Sequence, residues 1–471
     1  MKPLCVDLDG TLVRTDLLLE TFVLSLRYAP MKAMSAVLRL GDGKAAFKRR
    51  IAEAGAAHLS VERLPYNPTV ISYLEEERQK GRRLELVSGS DQSLVDRVVE
   101  HLGFFDAGFG SDGHRNLTRE AKSELLRQHH PSGFAYIGND MADVAPLMAA
   151  SEAVCANAPA RLVSELNSRG KTVTEIAPRP SVLAAALQGM RLHQWGKNLL
   201  LFTSFGLSLG QQSLSSLLVM LLAFLAFGLV ASATYLLNDL FDIESDRLHP
   251  TKRERPFASG RLPVAVGSVL IISGLLVGLG LAAAIGPPFL IATGVYILVT
   301  LAYSLMLKSV PVLDVLVLGL LFFIRVQAGA AAIGEVVTPW LGTFSLLFFS
   351  SLAFAKRYVE MVREGGGDSL MRRGYVGEDR SLALAFGAAL AVASLLVFLL
   401  YAFSGESQAF SSVNATMVCF GVVAYWVIRI WFKAVRGELH DDPVVFAVKD
   451  KVSYATAAVI LVVVVFDQWT R

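Results

Sequence analysis

The stretch Tyr235-Leu-Leu-Asn-Asp-Leu-Phe-Asp-Ile-Glu-Ser-Asp246 closes a long apolar run with an amide and three aligned carboxylates: Asn238, Asp239, Asp242 and Asp246. Offsets of three to four residues place these side chains on one face of a helix. An apolar helix ending in acids marks a membrane boundary, where such charge is costly unless a cation shares it. Several oxygen ligands in a row suit Mg²⁺, which typically arrives with a phosphorylated substrate. The segment that follows, His249-Pro-Thr-Lys-Arg-Glu-Arg-Pro-Phe-Ala-Ser-Gly260, is basic. Acids followed by Lys252, Arg253 and Arg255 can hold a metal-bound diphosphate, the cations taking the charge the metal leaves. The rival reading, a solvated charged loop, requires three acids to fall into helical register beside a membrane by accident.

Away from this stretch the composition divides the chain. Of its 471 residues, 53% are hydrophobic, and the mean hydropathy is +0.49. Residues 1–180 alternate charged and apolar stretches as a globular α/β domain does, whereas from about Asn198 long apolar runs dominate. A soluble domain over 1–180 and an all-α polytopic membrane domain over 181–471 are expected. Spans of about 20 apolar residues cross a bilayer; nine are predicted, at 196–209 (short), 213–236, 264–284, 288–306, 311–333, 337–355, 381–403, 410–432 and 452–469. The connections alternate in charge. Segments 206–213, 285–288, 334–338 and 404–409 carry no Lys or Arg, whereas the intervening ones are basic. Positive-inside reasoning puts the acid cluster and the N-terminal domain on the cytoplasmic face of an inner or cytoplasmic membrane, with the C-terminus outside. The start, Met1-Lys-Pro-Leu-Cys-Val-Asp-Leu-Asp9, is not expected to be a signal peptide, because two acids interrupt its apolar run. Cys5, Cys155 and Cys419 show no pairing or metal spacing, as in a reducing cytosol. No nucleic-acid partner is expected.

In the N-terminal part, Leu4-Cys-Val-Asp-Leu-Asp-Gly-Thr-Leu12 reads as a buried strand ending in acids and a glycine turn, where parallel α/β sheets place their sites. Asp7 is positioned to attack a phosphoryl group and Asp9 to protonate the leaving oxygen. A second strand, Arg83-Leu-Glu-Leu-Val-Ser-Gly-Ser90, delivers Ser88. Lys122 precedes a third, Phe134-Ala-Tyr-Ile-Gly138, which ends in Asn139, Asp140 and Asp143. The order is nucleophile, hydroxyl, charge clamp and Mg²⁺ site. It resembles the haloacid dehalogenase (HAD) phosphatase superfamily, whose first motif is Asp-x-Asp-Gly-Thr. The resemblance covers 1–180 and implies a Rossmann-type fold, with Asp7 as nucleophile, Asp9 as acid/base, and Ser88 and Lys122 as phosphate contacts. Where the family commonly has Gly-Asp, this chain has Gly138-Asn139, so either the Asn139 amide or Asp140 completes the metal site with Asp7 and Asp9. The insert at about 15–80, with Lys44, Lys48, Arg49 and Arg50, is expected to be a small helical cap.

The motif Asn-Asp-x-x-Asp-x-x-x-Asp at 238–246 is similar to the first signature of the UbiA superfamily of intramembrane transferases. Members generally move a polyprenyl group from its diphosphate and usually carry a second aspartate-rich motif. Here its place reads Ala355-Lys-Arg-Tyr-Val-Glu-Met-Val-Arg363, then Arg372-Arg-Gly-Tyr375. Bases in place of acids suit capture of a phosphate monoester better than a second metal-held diphosphate. Gln194-Trp-x-Lys-Asn198, His249-Pro-Thr-Lys-Arg253, Lys356-Arg-Tyr358 and Arg373-Gly-Tyr375 together resemble the decaprenyl-phosphate phosphoribosyltransferase branch. That branch implies phosphoribosyl diphosphate as donor and a polyprenyl phosphate lipid as acceptor.

The expected transferase site therefore has Mg²⁺ on Asp239, Asp242 and Asp246 with Asn238 assisting. Substrate contacts are expected from Arg191, Lys197, Asn198, Lys252, Arg253, Arg255, Tyr303, Lys308, Arg325, Lys356, Arg357 and Arg373. Arg325 lies inside a span, where an arginine is expensive and faces either a polar interior or a neighbouring helix. The HAD domain would then remove the product's 5′-phosphate. Two rivals remain: an aromatic-acceptor prenyltransferase using polyprenyl diphosphate, and a non-catalytic membrane scaffold with a regulatory HAD domain. Assembly as a homo-oligomer is left open.

Overall fold

The computed structural model of the protein describes residues 1–364, 374–404, 412–439 and 443–469. The chain packs as two compact units, Met1–Met190 with Tyr235–Leu270, and Arg191–Thr234 with Ile271–Arg471.

The first unit is built on a six-stranded parallel sheet of β1 (Leu4–Val6), β2 (Leu84–Asp91), β3 (Ala107–Ser111), β4 (Ala135–Gly138), β5 (Glu152–Ala156) and β6 (Val173–Ala177), in the order β3-β2-β1-β4-β5-β6. Leu4 of β1 lies in register with Leu84 on one side and Ala135 on the other. The strand order reverses at β1, so a crevice opens beyond its carboxyl end. Helices cover both faces, which is why β1 and β4 are buried along their whole length. The acid within β2, Glu85, is also buried, and His130 Nε2 at 2.8 Å and Arg83 at 3.0 Å partner it.

Local sequence sets the surrounding elements. Asp91 accepts from Ser93 N to start the helix Gln92–Leu102, and Gly103 closes it at φ 66°. The insert between β1 and β2 holds the helices Leu17–Tyr28, Pro30–Leu38 and Lys44–Gly55. These helices lie within the stretch 15–80 expected as the cap. The helix Pro68–Gln79, started by Asn67 and a first-turn proline, buries Val70 and Leu74 in the core of the sheet.

In the second unit and the helices entering it, six helices among the described residues are long and apolar enough to cross a membrane: Leu214–Phe241, Val264–Ile285, Pro287–Leu305, Leu313–Ala332, Asp379–Phe403 and Val413–Val435. Nine spans are not confirmed among the described residues. The short span at 196–209 is instead a 3-10 segment, Leu192–Leu201, followed by the six-residue helix Phe202–Leu207. The polar stretch Arg191 to Asn198 that leads into it is costly to bury in lipid. Pro339–Glu364 is a helix that combines an apolar start with the charged run from Lys356.

On Leu214–Phe241, the residues Leu214, Leu218, Leu221 and Leu225 form an apolar stripe, 74% to 43% exposed. Only 17% of the most apolar window of Val264–Ile285 is buried in protein. Such faces require lipid as their solvent, so the chain is a multi-pass membrane protein. Small residues let helices close up. A Cβ at Gly329 would collide with the backbone carbonyl of Leu201.

Candidate functional site

At the carboxyl end of β1, Asp7 is almost fully buried. Lys122 Nζ donates to Asp7 Oδ1 at 2.6 Å, to Asp143 Oδ1 at 3.3 Å and to the Tyr136 hydroxyl at 3.0 Å. Thr11 Oγ1 donates to Asp7 Oδ2 at 3.1 Å. Two residues on, Asp9 Oδ2 accepts from Ser88 Oγ and Ser90 Oγ, each at 2.8 Å, and its Oδ1 accepts from Leu17 N at 2.8 Å. Burial pushes the Asp7 carboxyl up to about 8, against the pull of Lys122, with Asp143 and Asp9 raising it further. Burial also disfavours the Lys122 ammonium, but Asp7 and Asp143 outweigh it and hold its pKa above the ordinary lysine value.

The β4 end is arranged differently from the sequence expectation. Asp143 is buried, takes the backbone N–H groups of Asn139 and Asp140 at 3.1 and 3.2 Å, and accepts from Tyr136 at 2.8 Å. Its task is to orient Lys122. Asp140 is exposed, and its carboxylate caps the turn Met141–Asp143. Asn139 lies over Gly10, whose φ is +79° and whose missing Cβ makes room for the Asn139 side chain. The oxygens of Asp7, Asp9 and Asn139 are an all-oxygen donor set of the kind Mg²⁺ takes, so the residues fit that ion. Sequence reasoning gave no role to Thr11, although it closes the first motif, and missed Ser90 and Tyr136, which carry no motif of their own. It also missed that Lys48 of the insert reaches the Gly89 carbonyl, and Asn116 Oδ1 at 2.8 Å.

The second acid cluster belongs to the same unit. Asp239 and Asp246 are both buried, and Arg255 Nη1 lies 3.0 Å from Asp239 Oδ1 and 2.8 Å from Asp246 Oδ2. Two carboxylates thus converge on one cation, which marks a point where positive charge is held and makes this donor set fit Mg²⁺ as well. Burial lifts Asp246 to about 6, opposed by Arg255 and reinforced by Asp239. Asp242 pairs at 3.2 Å with Arg27, from the insert helix Leu17–Tyr28, which also donates to the Phe241 carbonyl. Arg247 binds Glu20 of that helix at 2.6 Å, both side chains buried. Asn238 is half-buried on the same turn. Lys252 and Arg253 form the turn Lys252–Glu254, with Arg253 exposed. Arg27 and Glu20 carried no sequence signal, being more than 200 residues distant from their partners.

The other expected substrate contacts belong to the second unit, and several are committed elsewhere. Arg357 is fully buried, bonded through Nε to Asp314 Oδ2 at 2.6 Å and paired with Glu360. Tyr303 OH accepts from Arg357 at 3.4 Å, and Tyr375 OH donates to Asp314 at 2.6 Å. Arg325 donates to the Tyr296 hydroxyl at 3.1 Å and to Asn198 Oδ1 at 3.3 Å, with the rings of Phe227, Tyr296 and Phe322 around its guanidinium. Both arginines hold helices together as placed. Asn198 Nδ2 is buried with no partner among the described residues. Lys197 lies 5.5 Å over the Phe322 ring, Arg191 starts the 3-10 segment at φ 51°, and Lys308 and Lys356 are half-buried. Arg373 lies outside the described residues.

Residues 4–147 match the haloacid dehalogenase-like hydrolases, and residues 199–465 match the UbiA prenyltransferase family. The chain belongs to the UbiA family. It carries a HAD domain at its N-terminus and a UbiA domain at its C-terminus, each with the acid cluster described above. Over 97% of its length it is 37% identical to the uncharacterised protein y4nM of Sinorhizobium fredii, of which it covers 89%. Over 56% of its length it is 34% identical to the nodulation protein NoeC of Azorhizobium caulinodans, of which it covers 86%. A decaprenyl-phosphate phosphoribosyltransferase of Mycolicibacterium smegmatis is 28% identical over 58% of this chain and 89% of that one. Both families support an enzyme, and the UbiA domain supplies the membrane spans.

Proposed function

We propose that the UbiA domain transfers a 5-phosphoribosyl group from phosphoribosyl diphosphate to a polyprenyl phosphate, and that the HAD domain removes the 5′-phosphate to give polyprenyl-phosphoryl ribose. The carrying observation is Arg255 seated between Asp239 and Asp246: acids and base form one site that can take a metal and an anion together. The relation to the Mycolicibacterium phosphoribosyltransferase supports the choice of donor and acceptor.

Asp239, Asp242 and Asp246, with Asn238, would hold Mg²⁺, which supplies neutralisation of the departing diphosphate. Freed from the acids, Arg255 is placed to bind diphosphate oxygens. The C1–O bond to diphosphate breaks as the lipid phosphate oxygen bonds to C1. Positioning and electrostatics do the work, with no strong base needed. Lys356, on the basic segment where relatives usually carry acids, is the proposed contact for the acceptor phosphate. The active face is proposed to be cytoplasmic, where a soluble diphosphate donor is available.

In the HAD domain, Asp7 attacks the 5′-phosphorus, Asp9 protonates the departing O5′, and Asp9 then takes a proton from the water that releases phosphate. Lys122 and Ser88 steady the phosphoryl oxygens. Tethering both steps to one chain raises the local concentration of the intermediate.

The test supplies purified protein with Mg²⁺, polyprenyl phosphate and radiolabelled phosphoribosyl diphosphate. Labelled lipid is expected. Absence of label, with prenylation of an aromatic acid from polyprenyl diphosphate instead, rejects the reading.

A further inference from the structure

A cavity of about 140 Å³ lies beside the HAD site, lined by Gly10, Asn139 and Asp140 together with Arg14, Arg179 and Arg261. We propose that these three arginines form a second anion subsite, which takes a second phosphate of the substrate while Asp7 attacks the first.

Each guanidinium is short of a counter-charge. Among the described residues none of the three forms an ion pair. Arg14 Nε is buried with no hydrogen-bond partner, and its Nη2 reaches only Asn67 Oδ1 at 3.5 Å. Arg261 donates to Ser259 Oγ at 3.1 Å and to the Glu254 carbonyl, both uncharged groups. Arg179 stands exposed just past β6, its backbone stiffened by Pro178 and Pro180. The one acid at the border, Asp140, spends its carboxylate on Met141 N. Three arginines lining one small cavity make a site for a phosphate oxyanion.

The placement is built in. Gly260 sits at φ +70°, and a Cβ there would strike the backbone carbonyl of Arg14. That close approach holds Arg261 against the loop that carries Asp9. The segment supplying Arg261 lies within the UbiA match, so that domain contributes a residue to the phosphatase. At about 140 Å³ the cavity has room for a phosphate group.

The ligand class follows from size and charge: a pentose phosphate bearing a second phosphate about one sugar away. The proposed transferase product meets that description, with a 5′-monoester and a phosphodiester at C1, and to this extent the inference rests on the function proposed above. Free monophosphates lack the second anion and would be poor substrates.

The experiment compares release of labelled 5-phosphate from ribose 1,5-bisphosphate and from ribose 5-phosphate by the full-length protein in detergent with Mg²⁺. The parent is expected to prefer the bisphosphate about tenfold or more in kcat/KM. Arg261→Gln and Arg179→Gln should each cut that preference about tenfold, through KM, the loss of one charge-assisted contact. Arg261→Lys should recover part of it, which a merely disturbed loop would not. Arg169→Gln, a remote surface change, should keep it. Equal kcat/KM for the two substrates in the parent, or a preference unmoved in both Gln variants, overturns the subsite and leaves the phosphatase standing. No phosphate from either substrate overturns the phosphatase reading itself.

Discussion

Asp7 and Asp143 gather around one ammonium, Lys122, whereas Asp239, Asp242 and Asp246 are met by two guanidiniums, Arg255 and Arg27. The Lys122 side chain is 5% exposed, while those of Arg255 and Arg27 are 27% and 23% exposed. The lysine is fixed by Tyr136 and two carboxylates and cannot leave. The arginines sit at the edge of their cluster and can withdraw toward water. The first cluster is thus built around a permanent positive charge, as a nucleophile needs. The second holds a replaceable one, as a site that must admit a metal-bound diphosphate needs.

The largest expected effect breaks the HAD half alone. Asp7→Asn should lower phosphate release by about 10⁴-fold or more, the scale of losing a nucleophile. Ribosyl transfer to lipid should persist, so thin-layer analysis should show the 5′-phosphorylated lipid accumulating. Release of phosphate at the parent rate would remove Asp7 from its role.

Lys122→Met tests the permanence of the first charge. It leaves Asp7 and Asp143 buried without their cation, a loss of about 3–5 kcal/mol. Hydrogen exchange of β1 and β4 in the full-length protein should register it. A variant with parent-like protection would mean that solvent reaches the site and that the lysine is not structural.

Some of this contrast was legible in the chain and some was not. Helical period alone placed Asp239, Asp242 and Asp246 on one face, and strand ends alone placed Asp7, Ser88 and Asn139 at one crevice. Local pattern carries both. It does not carry pairings over long separations, so the partnership of Arg27 with Asp242 and of Arg247 with Glu20 went unseen. The same gap hid the partners of two expected substrate contacts. Arg357, in a basic run, is met by Asp314 and Glu360, and Arg325, inside a span, is surrounded by three aromatic rings. At 196–209 the apolar run is too short to decide between a span and a broken helix, and the fold takes the second, a 3-10 segment and a six-residue helix.

A smaller effect is expected from Asp239→Asn. The amide keeps the shape and an oxygen but loses the charge, so transfer to lipid should fall about 10²-fold, the scale of one electrostatic contact in a transition state. Phosphate release from a soluble sugar phosphate should keep its rate. Loss of both activities together would tie the two clusters into one site and erase the comparison.

The smallest effect separates a replaceable charge from a structural one. Arg255→Gln removes the cation shared by Asp239 and Asp246, but the glutamine amide can still donate to them and the edge of the site is partly solvated, so stability should fall by about 1 kcal/mol, well below the loss for Lys122→Met. Its cost should appear in function, as a rise of about tenfold in KM for phosphoribosyl diphosphate from one lost charge-assisted contact. Raised Mg²⁺ should recover part of that loss, because the acids then lack a competitor for the metal. If Arg255 were instead a structural clamp, the variant would unfold several degrees earlier in thermal melts and KM would stay put. Those two outcomes cannot both occur, and the choice between them decides whether the second cluster differs in kind from the first or only in burial.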